Sequence, residues 1–359
     1  MVFLQTIKLQ PKPENMQIKH IYWFAYFNKS EPSVRYRATF PLQYMKAKHG
    51  ITYSLCYPGY DFTSIFRFLS AFFSALLFRK KDSVIVFQKI YTNGLYARAL
   101  KLLLFFRPWH TLYDIDDAEH TRRNADTIHY FMKHCSACAA GSRALVEYIK
   151  PFNPHVLLLT SPVIDHGRIK KGLEQTFTIG WVGYYGAHRQ SLMQLFFPAL
   201  LAVDFPVKLK LLGVCRPTEE EEVRAYFSSN KHISIEAPLQ LDWLDEPTIY
   251  EAISTFDVGV SPLLDTEFNR SKSAFKLKQC LSCGVPVLGS STGENSVFLS
   301  DGVNGYFCNT PADYLQKITA LRQQKNGSYA RLSRNAQSSF TGFSVEHYCI
   351  TLLKYYEAG

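Results

Sequence analysis

Short apolar runs alternate with longer amphipathic stretches twice along this 359-residue chain, and that alternation restricts the fold more than any other feature. The first series opens with the strand-like run 18–27 (IKHIYWFAYF), a polar loop (NKSEPSVRYR) and the helical FPLQYMKAKHG, which Gly50 stops. ITYSLCY, SIFRFLSAFFSALLF, SVIVFQ, YARALKLLLFF, TLYDI, GSRALVEYIKPF and VLLLT continue it as strand and helix in turn. The polar, basic stretch 165–175 (DHGRIKKGLEQ) reads as a linker. A second series then runs from FTIGWVG through RQSLMQLFFPALLAV, VKLKLLG, TEEEEVRAYFSS, HISIEAP, PTIYEAIST, DVGVSP, SAFKLKQCLSCG and VPVLGSS to PADYLQKITALRQQ. Strands joined by crossover helices pair in parallel and carry helices on both faces. The expected fold is therefore α/β, with two Rossmann-like doubly wound domains over residues 1–165 and 176–340. In the closing helix 344–359, Tyr348, Leu352, Leu353 and Tyr356 recur at helical spacing, so it is expected to pack back onto the first domain. A ligand belongs at the carboxyl ends of such strands, in a cleft between the domains.

The length suits two domains, each with its own core. A formal charge of +10 points to an anionic partner, such as a phosphorylated ligand, a nucleic acid or an acidic membrane surface. Nucleic acid is disfavoured, because the cations are spread over the chain rather than gathered in a stripe with interleaved aromatics. Lys8, Pro11, Lys12 and Pro13 interrupt what a signal peptide would keep apolar, and no run is long enough to span a bilayer, so a cytoplasmic protein is expected. Eight cysteines in so long a chain suit a reducing compartment. The pairs Cys135/Cys138 and Cys280/Cys283 have zinc-site spacing, but both lie in apolar segments that read as helix, without a glycine knuckle. No metal and no resident cofactor are expected.

Residues 256–306 carry the densest information. Asp257-Val-Gly-Val-Ser-Pro262 reads as a buried strand, and a polar loop leads into a helix expected to start near Ser271 or Ser273. A helix start offers unpaired N–H groups to a phosphate. Lys272 and Lys276, four residues apart, would share one helix face and add charge toward the same anion. Gly284-Val-Pro-Val then begins another strand, whose outlet is the Gly293 turn.

This stretch resembles the donor-binding half of GT-B glycosyltransferases, in particular the large retaining family 4-like group of bacterial polysaccharide and lipopolysaccharide enzymes. The matching pieces are Asp257-Val-Gly-Val-Ser-Pro-Leu263, Phe268-Asn269, Lys272-Ser273, Lys276-Leu277, Cys283-Gly284-Val-Pro-Val287, Gly293 and Asp301-Gly302-Val-Asn-Gly305, with Thr178–Gly183 as the domain's opening strand and turn. The resemblance implies that Gly183 approaches the donor diphosphate, that Arg189 beside His188 neutralises it, and that Trp243 lies near the nucleotide base. A packed core tryptophan is the alternative for Trp243. The family's Glu-x7-Glu pair falls here on Ser271 and Gln279, so both carboxylates are replaced. Asn269, Lys272, Ser273 and Lys276, with Gly293 and Glu294, are then the residues expected to hold the donor.

Three further segments carry candidate chemistry. In Thr111-Leu-Tyr-Asp-Ile-Asp-Asp117 a strand runs out into Asp114, Asp116 and Asp117, where clustered carboxylates raise one another's pKa and one could serve as base toward an acceptor hydroxyl. Capping of the next helix and pairing with Arg122 or Arg123 is the alternative, and an Asp-x-Asp metal site of the GT-A kind a more distant one. Arg35 and Arg37, in the loop after the first strand, could grip a phosphate of donor or acceptor. The run 62–78, followed by Arg79, Lys80 and Lys81, is apolar and basic enough to lie on an anionic bilayer, although a core helix is the plainer reading.

Together these features lead to one expectation. The chain transfers a sugar from a nucleotide diphosphate sugar to a hydroxyl of a glycan or lipid-linked acceptor, with retention, in the cytoplasm or at the inner face of the membrane. The alternatives are a sugar-nucleotide epimerase or hydrolase on the same scaffold and a non-catalytic binding module.

Overall fold

Apolar runs too continuous for a sheet wetted on one side become strands covered on both faces. The computed structural model describes residues 17–59, 61–77, 82–324 and 326–357. The chain divides into two units, Met1–Ser161 with Val345–Gly359, and Pro162–Ser344. The amino-terminal segment with Lys8, Pro11, Lys12 and Pro13, and the basic Arg79, Lys80 and Lys81, lie outside the described residues.

In the first unit the strands are β1 (His20–Ala25), β2 (Thr52–Cys56), β3 (Ser83–Gln88), β4 (Thr111–Ile115), β5 (Ala137–Ala140) and β6 (Val156–Leu158), ordered β2-β1-β3-β4-β5-β6. All pairs are parallel, with Tyr22 opposite Ile85 and Phe87 opposite Tyr113. The chain steps first to one side of β1 and then to the other, so the switch point lies between β1 and β3, where the loops leaving both strands diverge. The helix after β1 runs through Pro32–Val34, a π-turn at Arg35–Thr39, and Phe40–His49. Pro41 cannot donate to the helix ladder, and the ladder widens into the π-turn just before it. The closing helix Val345–Glu357 belongs to this unit: the Tyr348 hydroxyl donates to Arg37 O at 3.1 Å.

The second unit has β7 (Phe177–Val182), β8 (Val207–Leu212), β9 (Ile233–Glu236), β10 (Val258–Ser261), β11 (Val287–Gly289) and β12 (Gly305–Phe307), ordered β12-β11-β10-β7-β8-β9. This is the dinucleotide-fold order, with its switch point between β7 and β10. A second π-turn, Leu192–Phe196, again precedes a proline, Pro198, in the first helix of the unit. No helix among the described residues is long and apolar enough to cross a membrane.

Several local expectations change. The helix expected around Cys135 and Cys138 ends at His134, and Cys138 lies inside β5, whose Ala-Cys-Ala-Ala sequence has no β-branched signal to announce a strand. The stretch 165–175 is anchored rather than free: buried Lys170 reaches Asp257 at 3.0 Å, and the Asp257 carboxylate also accepts from Glu174 N at 2.9 Å and Thr178 N at 2.7 Å. The helix expected from Ser271 or Ser273 instead begins at Phe275, after Ala274 in the left-handed region at φ 56°.

Candidate functional site

At the switch point of the second unit, β7 ends in Gly183 with φ 146°, a backbone setting that disfavours any side chain. A Cβ placed there would lie 2.1 Å from Lys276 Cε, so the bare glycine lets the lysine stem cross directly over the strand end. The Lys276 ammonium donates to His188 Nε2 at 2.7 Å, which requires the neutral ring with its proton on Nδ1. Gly183→Ala is therefore expected to displace Lys276 and weaken nucleotide binding at least about tenfold, from about 1–3 kcal/mol of backbone strain plus the clash. Calorimetric titration of the variant checks this, and unchanged affinity would remove the role given to the glycine.

Lys272 and Lys276 do not share a helix face, because Lys272 precedes the helix Phe275–Ser282 and places its ammonium 4.4 Å from the centre of the Phe268 ring. Lys276 reaches over Gly183. A compact loop cluster adjoins it. Asn269 Nδ2 donates to Leu264 O at 2.9 Å, and Ser271 Oγ donates to Glu267 O at 3.2 Å. Gly293, at φ 60°, packs so tightly that a Cβ would sit 2.8 Å from Asn269 O, and Glu294 N donates to Lys272 O at 3.4 Å. Ser271, Ser273, Gln279 and Glu294 are all buried there. The left-handed Ala274 joins this loop to the helix, the kind of backbone strain that accompanies binding sites.

Beside these residues, a cavity of about 580 Å³ is lined by Gly213–Cys215 at the end of β8 and by Pro238–Trp243 after β9. Trp243 is half-buried: it packs on the core and walls the cavity. Arg189 does not take the place expected of it. Its exposed guanidinium forms a two-pronged pair with Glu222, which holds the Glu222 carboxyl below its usual range. The neighbouring His188 is the one that meets Lys276.

The first unit has its own polar focus at its switch point. Arg37 is fully buried, donates through Nε to Asp114 at 3.0 Å and through a second nitrogen to the other Asp114 oxygen, and through the third to Leu159 O at 2.6 Å. Burial pulls the Arg37 pKa down and Asp114 more than restores it, so the guanidinium stays charged. Arg37 is thus an internal ion-pair partner rather than a surface phosphate grip, because Asp114 and the Leu159 carbonyl use its donors. Arg35, also buried, donates to Lys29 O at 3.3 Å and Ser30 O at 2.6 Å and holds the loop after β1.

Lys89, which the sequence reading missed, reaches Asp116 at 3.0 Å, Asp117 at 3.3 Å and Glu119 at 3.2 Å. Burial lowers its pKa, but the three carboxylates outweigh that and hold it well above the usual value. Its backbone is left-handed at φ 52°, directly after β3. A cation closing the apolar run Ser83–Gln88, at the carboxyl end of a strand, was the available signal. Asp114 and Asp116 side chains are 1% and 9% exposed, whereas Asp117 keeps 27%. The cysteine pairs fall in different units; burial holds the Cys135, Cys138 and Cys280 thiols well above their usual range and pushes Cys283 up to about 12.

No protein-family model matches the sequence, and no curated protein matches it either. Solved structures do. Sucrose-phosphate synthase from Thermosynechococcus elongatus is similar over 95% of this chain and 98% of its own, with a TM-score of 0.67 at 11% identity. A glycosyltransferase from Rickettsia africae ESF-5 gives the same values. The fold is that of the GT-B glycosyltransferases. Anabaena HepE, solved in complex with UDP, shares this GT-B fold over 95% of this chain and 100% of its own, with a TM-score of 0.63 at 11% identity.

Proposed function

We propose that this GT-B chain is a glycosyltransferase that moves a sugar from a nucleotide diphosphate sugar to a hydroxyl of a glycan or lipid-linked acceptor, with retention. The observation that carries the reading is the Lys276 ammonium lying across Gly183 at the switch point of a dinucleotide-type sheet, beside an open cavity. In this reading the base enters the cavity walled by Trp243, the diphosphate lies over Gly183, and the sugar meets the loop of Asn269, Ser271, Ser273, Gly293 and Glu294. The bond from C1 to the diphosphate oxygen breaks and its electron pair stays on the diphosphate, where Lys276 stabilises the charge. The acceptor oxygen then bonds to C1 on the face that the diphosphate leaves, and its proton passes to the departing diphosphate oxygen. Asp117, the most exposed of the three aspartates, is assigned to orient the acceptor in the first unit. The resemblance to bacterial polysaccharide enzymes supports surface glycan synthesis at the cytoplasmic side as the setting, and the donor needs no metal in this account.

Thermal denaturation against a panel of nucleotide sugars tests the proposal. One donor should raise Tm, by mass action on the folded state, in both the parent and Asp117→Asn proteins. Transfer to acceptor should be lost in Asp117→Asn alone. If no member of the panel shifts Tm the donor reading fails, and full transfer by Asp117→Asn removes the acceptor role. Donor breakdown that never needs an acceptor would favour the epimerase or hydrolase instead.

A further inference from the structure

The helix Phe62–Leu77 turns Ala71, Phe72 and Ala75 into the first unit and presents a second apolar face outward. Phe66 is 64% exposed and Phe73 49%. The next helix, Leu95–Phe106, repeats the arrangement: Ala97, Leu100, Leu103 and Leu104 are buried while Phe105 is 70% exposed. The two are fastened side by side. Phe68 and Tyr96 rings lie 5.1 Å apart, and the Arg107 guanidinium caps the end of the first helix by donating to Leu76 O at 2.8 and 2.5 Å. Eleven of the seventeen exposed large apolar side chains among the described residues fall between Phe62 and Trp109. Neither helix contains an aspartate or glutamate, whereas Arg67 and Arg98 stand exposed on them.

We propose that these two helices form one docking face for an anionic lipid bilayer, lying in the plane of the headgroups with the phenylalanines and Trp109 inserted. An apolar surface of this extent needs a cover. Charge selects which one. A two-fold pairing of these helices with those of a second copy would set Arg67 and Arg98 against helices that carry no carboxylate and the same cations. Acidic headgroups complement both the arginines and the apolar stripe. The inference does not depend on the donor reading, since it concerns only helices of the first unit.

Flotation of the full chain with phosphatidylcholine vesicles, with and without phosphatidylglycerol, decides the matter. The protein should rise with the anionic vesicles, less with neutral ones, and less again in high salt. Phe66→Glu with Phe105→Glu should reduce the bound fraction at least about tenfold, at exposed positions that leave the core intact. Should that double variant melt without cooperativity, Arg67→Glu with Arg98→Glu keeps the apolar face and should abolish the preference for anionic vesicles. Parent protein that stays at the bottom of the gradient, or either folded variant floating as the parent does, overturns the proposal. So does a light-scattering dimer that Phe66→Glu with Phe105→Glu turns into monomer, because a second copy then covers the face.

Discussion

Lys276→Ala is expected to cut the rate of sugar transfer by about 10²–10³-fold, the loss typical when one preorganised donor to developing charge is removed. This lysine crosses Gly183 and donates to His188 Nε2. Arg189→Ala provides the contrast. That guanidinium is exposed and already spent on Glu222, so transfer should change by no more than severalfold. Steady-state rates for the two variants separate the assignments. A strong effect at Arg189 with a weak one at Lys276 would reverse them.

Arg37→Met should cost about 3–5 kcal/mol of stability, because it leaves the Asp114 carboxylate buried without the guanidinium that pairs with it. For a unit of this size the loss corresponds to a fall in Tm on the order of 10 °C. Arg37→Met combined with Asp114→Leu should recover most of it, since an apolar pair of similar volume needs no compensation. Calorimetric melting of the single and double variants reads this directly. Were the single variant as stable as the parent, with the double variant no better, the pair would not be the internal clamp described here.

Where burial follows from an apolar run, the chain was legible. Ile18–Phe27, SVIVFQ and FTIGWVG became β1, β3 and β7, with Gly183 directly after β7. β5 escaped notice because alanine and cysteine carry no strand signature, and its pairing with β4 is a tertiary effect. The start of the helix at Phe275 was misplaced because a serine is the ordinary cap, whereas the chain turns here through a left-handed alanine. That shift of one turn separated Lys272 from Lys276. Arg37 and Arg189 were read as free cations because sequence spacing does not show that Asp114, 77 positions away, and Glu222, 33 positions away, would meet them. Lys89 was missed for the same reason, since three carboxylates converge on it only once β3 and β4 pair.

The central claim is that the second unit holds a nucleoside diphosphate between Gly183, Lys276 and the cavity beside Trp243. Calorimetric titration of the parent protein and Lys276→Ala with a panel of nucleoside diphosphates tests it most directly. The account predicts that one of them binds the parent at a single site per chain, and binds Lys276→Ala at least about tenfold more weakly through loss of a charge-assisted hydrogen bond. Absence of binding across the panel, or equal affinity for both proteins, would contradict it.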